Sequence, residues 1–245
     1  MTIDSSSGKT AVFFDMDDTL YDQLDPFRLA VQSYLKSTGG EHDFSDFADL
    51  FKRVRAHSDA LWDVYTAGAM TLDEMRIQRV SRAFEELGIP IGAEEASLIQ
   101  YNYETEQGRI RLDEGAPEYF RLLQQRGYVT GLITNGPVKH QTFKIRALGV
   151  DAIFPENRIF ISDAVGYTKP DPRIFQYVNE VTGTKPEQSY YVGDSWRNDV
   201  AGAAAAGWKM IWLNRRQAAP SPEFKPYRII GSLSELFDFF PGSGD

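Results

Sequence analysis

The chain contains no cysteine. Disulfides, thiolate zinc sites and cysteine nucleophiles are therefore excluded. Histidine is scarce: His42, His57 and His140 lie far apart and show no metal-ligand spacing. Positive charge is short as well, with 26 Lys and Arg against 35 Asp and Glu and a formal net charge of −9. The basic footprint of a nucleic-acid-binding surface is missing, so no nucleic acid partner is expected. No apolar run approaches the length of a membrane span, so no membrane partner is expected either. Met1 to Thr10 is Ser-rich and lacks the apolar core of a signal peptide, which makes a cytoplasmic location the expectation.

What is present is ordinary for a globular chain: 245 residues, 42% hydrophobic and 25% charged. That length suits one large α/β domain or two smaller ones. Gly8-Lys9-Thr10 has the ending of a phosphate-binding P-loop. However, the glycine required five residues earlier is Ile3, and the tripeptide precedes a strand instead of following one.

The most informative stretch is Phe13-Phe14-Asp15-Met16-Asp17-Asp18-Thr19-Leu20-Tyr21. Ala11 to Phe14 reads as a buried strand that ends in carboxylates. Asp15 and Asp17, two apart, can face one side. Such carboxylates repel each other and lose hydration, and a divalent cation would compensate. Alone, the stretch reads equally well as a turn that caps the next element.

Further on the pattern turns helical. Asp25-Pro26 starts a helix that Gly39-Gly40 stops. A second helix is expected over 45–67, a third after the Thr71/Glu74 capping box, closed by Gly88, and a fourth over 93–107. No strand is evident between Asp22 and Arg109. From Leu112 strands and helices alternate, the pattern of a parallel sheet with crossover helices. Strands are expected over 128–133, 158–161, 189–192, 209–213 and 227–230. Helices are expected over 117–126, 139–148 and 172–182, after Gly193-Asp194-Ser195 through Ala206, and over 233–240.

Three of these strands end in polar residues: Asp15 and Asp17, then Thr134 and Asn135, then Asp194. Ligands bind at the C-terminal edge of open parallel sheets, so these residues should meet there. Lys169 is fixed by the proline that follows it. Together they form a phosphoryl-transfer set. Mg²⁺ on Asp15 and Asp194 would cancel the repulsion between a carboxylate nucleophile and an anionic substrate, with Lys169 adding positive charge. Thr134 can bind phosphate oxygens, and Asp17 can serve as acid and then as base.

Asp15-Met16-Asp17-Asp18-Thr19, Thr134-Asn135, Lys169-Pro170 and Gly193-Asp194-Ser195 through Asp199 resemble, in order, the four motifs of the haloacid-dehalogenase-like (HAD) superfamily. The resemblance implies an α/β, Rossmann-like parallel-sheet core formed by 1–21 and 110–245, with an all-helical, mobile cap inserted over 22–109. It implies Asp15 as nucleophile and metal ligand, and Asp17 as general acid/base that gives its backbone carbonyl to the metal. Thr134, Asn135 and Lys169 would bind substrate, Asp194 the metal, and Asp199, Ser195 and Asn198 would support the site. An acid at Asp17 marks phosphatases and phosphomutases and is missing from the dehalogenase branch. Leu61 to Tyr65, Gly68, Met70-Thr71, Glu74, Thr134-Asn135-Gly136 and Gln141 are similar to nucleotide 5′-monophosphatases of the house-cleaning type. A Mg²⁺-dependent phosphatase of a small soluble phosphate monoester, a nucleoside 5′-monophosphate first, is therefore expected. A sugar-acid phosphatase of the N-acylneuraminate 9-phosphate type, a phosphomutase and a regulatory binding protein on the same scaffold are the alternatives.

Simpler roles are also open to several of these residues. Asp18 reads as turn chemistry, Ser195 and Asn198 as helix caps, and Asp199 as an acid favoured near a helix N-terminus. Trp62 and Tyr65 can stack on a base but read first as packing, and Arg76 and Arg79 can reach a substrate anion but read first as a solvated face.

Overall fold

Ala11 to Phe14 can form strand because the tetrapeptide is apolar on both faces and has a hydrogen-bonded neighbour on each side. The computed structural model describes residues 9–38, 46–237 and 239–240. It places strands β1 (Ala11–Phe14), β2 (Val129–Thr134), β3 (Ile159–Ile161), β4 (Ser189–Gly193), β5 (Lys209–Leu213) and β6 (Arg228–Ile230) in one sheet. Their order is β3-β2-β1-β4-β5-β6, and every neighbouring pair is parallel. This is the parallel sheet that the alternating pattern implies, and the α/β, Rossmann-like core that the resemblance implies. The chain builds outward from β1 to β3 and then returns to β4 on the other side of β1. That reversal makes a topological switch point, where open sheets bind ligands at their C-terminal edge.

The period-two alternation of β1 sends its phenylalanines into different layers. Phe13 packs on Phe160 and Trp208, with ring centroids 5.9 Å away in each case. It shares that layer with Ile174, Phe175 and Val178 of the helix Pro172–Thr182. Phe14 meets Phe120 at 4.9 Å and stacks near Phe154. Each ring is fully buried, a gain of roughly 1.5–3 kcal/mol over leaving it exposed.

The chain divides into two compact units, Met1–Asp22 with Arg111–Asp245, and Gln23–Ile110. The second unit consists of helices α1 (Leu24–Thr38), α2 (Phe47–Thr66), α3 (Leu72–Glu86) and α4 (Ala93–Gln107). Phe27 anchors its core against Phe51 and Tyr103, at ring-centroid distances of 5.3 and 5.7 Å. The expected Thr71/Glu74 capping box is formed. The sheet-bearing unit continues with α5 (Ala116–Gln125), α6 (Val138–Leu148), α7 (Ser162–Val165), α8 (Pro172–Thr182) and α9 (Ala201–Ala205). No helix among the described residues is long and apolar enough to cross a membrane.

Three expectations need correction. The first helix starts at Leu24, before the Asp25 cap, because Phe27 N already bonds Gln23 O at 3.4 Å and Pro26 has no N–H to leave unpaired. The helix expected after Asp194 opens instead as a wide π turn, Trp196–Val200, in which Ser195 O accepts from both Asp199 N and Val200 N. The C-terminal helix shrinks to a 3₁₀ turn, Leu233–Leu236, after which Phe240 packs edge-on against Tyr190 at 5.0 Å. The Gly39-Gly40 stop, a helix start at Ser45, His42 and the stretch before Lys9 lie outside the described residues.

Candidate active site

The parallel ladder continues one residue past β1, where Asp15 N donates to Val192 O at 2.8 Å. This fixes Asp15 at the switch point with its carboxylate buried. Lys169, itself buried, spends its ammonium on three acceptors at 2.7 Å each: Asp15 Oδ1, Asp199 Oδ1 and the Tyr191 hydroxyl. Tyr191 in turn donates to Ile133 O at 2.8 Å. Asn135, just past β2, holds the Lys169 backbone at two points: its Nδ2 donates to Lys169 O and its Oδ1 accepts from Lys169 N, both at 2.9 Å. The Lys169–Pro170 peptide bond is cis. Asparagine and lysine thus act as one unit, although 34 residues separate them.

Asp199 sits on the π turn and is almost wholly buried. Its Oδ2 accepts from Ser195 N at 2.9 Å. Glycine is required at position 193, because an added Cβ would lie 2.5 Å from that same Oδ2. Asp194 keeps partial exposure, and its backbone carbonyl takes the Trp212 indole N–H at 2.8 Å. Asp15, Asp194 and Asp199 each offer a carboxylate oxygen within 4.8 Å of the others. Hard carboxylate oxygens that converge this closely fit a cation such as Mg²⁺.

Burial pushes the Asp15 carboxyl up to about 7, against the opposing pull of Lys169. Burial alone would depress the Lys169 ammonium, but Asp15 and Asp199 together outweigh it and raise it. Burial followed by the neighbouring carboxylates holds the Tyr191 hydroxyl neutral, far above its ordinary range.

Asp17 belongs to a different cluster. Its Oδ1 accepts from Lys144 Nζ and from the Tyr21 hydroxyl, both at 2.6 Å. Gln141 Nε2 donates to Thr134 Oγ1 at 2.7 Å and to Asn135 O, and lies 3.3 Å from Asp17 Oδ2. Thr134 is fully buried at the end of β2. Asp15, Asp194, Asp199 and Lys169 are therefore brought together, while the Asp17 carboxylate and Thr134 are joined through Gln141.

The supporting residues divide. Ser195 is the N-cap of the π turn and accepts from Asn198 N at 3.2 Å. Asp18 takes a positive φ of 63° and is held by Arg216 at 2.7 Å, so it does serve the turn. Sequence reasoning missed Lys144, Tyr191 and Ser162, whose Oγ accepts from Gly136 N at 2.9 Å. Lys144 stands one helical turn from Gln141, and that shared face was the available signal.

In the helical unit, Arg76 and Arg79 do not form a solvated face. Arg76 pairs with Glu104 at 3.0 Å. Arg79 donates to Ser58 and Gln100 at 2.9 Å each, and burial lowers its guanidinium to about 10. Trp62 and Tyr65 pack on each other at 5.4 Å, and His57 lies 3.0 Å from Glu86.

Residues 9–207 match the family model of the haloacid dehalogenase-like hydrolases. A phosphoserine phosphatase of Thermus thermophilus is 31% identical, over 92% of this chain and 97% of that protein. The pyrimidine 5′-nucleotidase YjjG of Escherichia coli is 28% identical, over 92% and 95% respectively. Among solved structures, the magnesium-bound putative HAD-hydrolase YfnB of Bacillus subtilis superposes with a TM-score of 0.73 at 26% identity, over 95% of this chain and 99% of that one.

Proposed function

The chain belongs to the haloacid dehalogenase-like hydrolases, and from that premise we propose that it is a Mg²⁺-dependent phosphomonoesterase working through an aspartyl-phosphate on Asp15. Its substrate is a small phosphate ester, a nucleoside 5′-monophosphate first. The observation that carries this reading is the Asp15–Lys169–Asp199 chain of 2.7 Å contacts at the switch point, beside Asp194.

Lys169 holds one oxygen of Asp15, which leaves the other to attack phosphorus. The same ammonium offsets the charge that accumulates as two anions meet. Asp15, Asp194 and the Asp17 carbonyl would hold the Mg²⁺, with Asp199 behind them. Mg²⁺ supplies charge neutralisation and favours the ionised form of Asp15. Thr134 and Asn135 stand at the end of β2, where phosphoryl oxygens need donors. Asp17 gives its proton to the leaving alkoxide, then takes one from the water that hydrolyses the acyl phosphate. Residues 22–109 serve as the cap domain that selects the leaving group.

Relatives that are pyrimidine 5′-nucleotidases, glyceraldehyde 3-phosphate phosphatases and a phosphoserine phosphatase guide the panel for the test. Phosphate release is measured from nucleoside monophosphates, phosphoserine, glyceraldehyde 3-phosphate and a sialic acid 9-phosphate, with Mg²⁺ and with chelator, beside Asp15→Asn. The reading expects nucleotides to lead, and activity to vanish with chelator and in the variant. Preference for another ester keeps the mechanism and replaces the substrate. Turnover by Asp15→Asn overturns both.

A further inference from the structure

Lys144 is the second buried ammonium of the sheet-bearing unit, and the scheme above gives it no task. Its side chain is 4% exposed, and the Asp17 carboxylate it meets is 20% exposed. Lysine seldom gives up hydration on an amphipathic helix, since its long stem normally carries the charge to water. Here α6 also presents Phe143 to solvent, 46% exposed, while Lys144 points inward. Burying an ammonium costs several kcal/mol unless a well-placed partner offsets it.

That partner is held with unusual completeness. Lys144 Nζ reaches both carboxylate oxygens of Asp17, Tyr21 adds a hydroxyl to Oδ1, and Gln141 reaches Oδ2. Rotation about the last side-chain bond of Asp17 is thereby fixed. The backbone is fixed too, because the next residue, Asp18, is pinned by Arg216. Gln141, whose amide donates to Thr134 Oγ1 and Asn135 O, stands beside the carboxylate. A carboxylate that must meet a leaving oxygen gains most from being set in place beforehand.

We propose that Lys144 is the positioning residue for Asp17: it orients that carboxylate for the proton transfers of the reaction while touching neither substrate nor phosphoryl group. This rests on the reading of Asp17 as general acid and base.

The test is a double-mutant cycle of Lys144→Met and Asp17→Asn, with kcat/KM measured on the panel's best alkyl phosphate and on p-nitrophenyl phosphate. Nitrophenolate leaves without protonation, whereas an alkoxide needs the acid. Lys144→Met should lose about 10²-fold on the alkyl ester and under about tenfold on the nitrophenyl ester. In the Asp17→Asn background it should cost almost nothing more, and Lys144→Arg should recover most of the loss. Additive losses, or equal losses on both esters, overturn the proposal. If Lys144→Met does not fold, Tyr21→Phe, which removes the other short contact to Oδ1, goes through the same cycle and is read the same way. Should Asp17→Asn itself show no preference between the esters, the acid/base reading falls and takes the proposal with it. An additive cycle with a discriminating Asp17→Asn sinks the proposal alone.

Discussion

The sheet-bearing unit and the helical unit both bury charged side chains, and they use them differently. Around Lys169, two buried carboxylates, a tyrosine and an ammonium converge from β1, β4, the π turn and the loop after α7. Around Arg79, one guanidinium binds Ser58 of α2 and Gln100 of α4, and its neighbour Arg76 takes Glu104. The first cluster sets two carboxyl groups around one ammonium and sits at the open edge of a sheet. The second ties three helices together. Ionisable groups gathered at the C-terminal edge of an open sheet stand where ligands bind, whereas a guanidinium hydrogen-bonded to neutral side chains of two neighbouring helices holds those helices together.

The widest separation expected between the units comes from Asp15→Asn. Removing the proposed nucleophile should lower kcat by on the order of 10⁴–10⁶-fold while the thermal midpoint stays at or above that of the wild type. A comparable loss from any single cap-helix substitution that leaves the fold intact would break the contrast. Next in size is Phe27→Ala, which opens a cavity beneath Phe51 and Tyr103 and should cost about 3–5 kcal/mol, read by denaturant unfolding. Activity per folded molecule on p-nitrophenyl phosphate, whose leaving group makes few demands, should fall far less.

Lys169→Met should reduce kcat/KM by about 10²–10³-fold. It also strips Asp15 and Asp199 of their shared counter-charge. Mg²⁺ should therefore raise the melting temperature of this variant more than that of the wild type, a shift read by scanning fluorimetry. An equal shift in both would argue that the cation binds elsewhere. The smallest effect belongs to Thr71→Ala. Losing the capping box of α3 should cost about 1 kcal/mol of stability and leave turnover unchanged.

Much of the fold was legible because its signals are local. The strand ends of the sheet are marked by abrupt apolar-to-acidic changes at Phe14-Asp15 and Gly193-Asp194, and α3 is announced by its own cap. The elements that resisted are those set by distant partners. Asp199 bends its helix into a π turn to reach Ser195 N, and Phe240 leaves the helical path to pack on Tyr190. The site divides along the same line. Asp15, Lys169, Asp194 and Asp199 carry ordered motifs, and the geometry brings them together. Lys144 shares a helix face with Gln141, but that spacing does not by itself tell an inward ammonium from a solvated one. Arg76 and Arg79 show the converse, because their burial depends on the facing helices.

The claim at the centre of this account is a phosphoryl group carried by Asp15. Rapid mixing with substrate and Mg²⁺, acid quench, digestion and mass spectrometry test it directly. The prediction is one phosphoryl group, labile to hydroxylamine, on the peptide containing Asp15, and none in Asp15→Asn or with chelator. Phosphorylation of a different residue, or full turnover by Asp15→Asn, would contradict it.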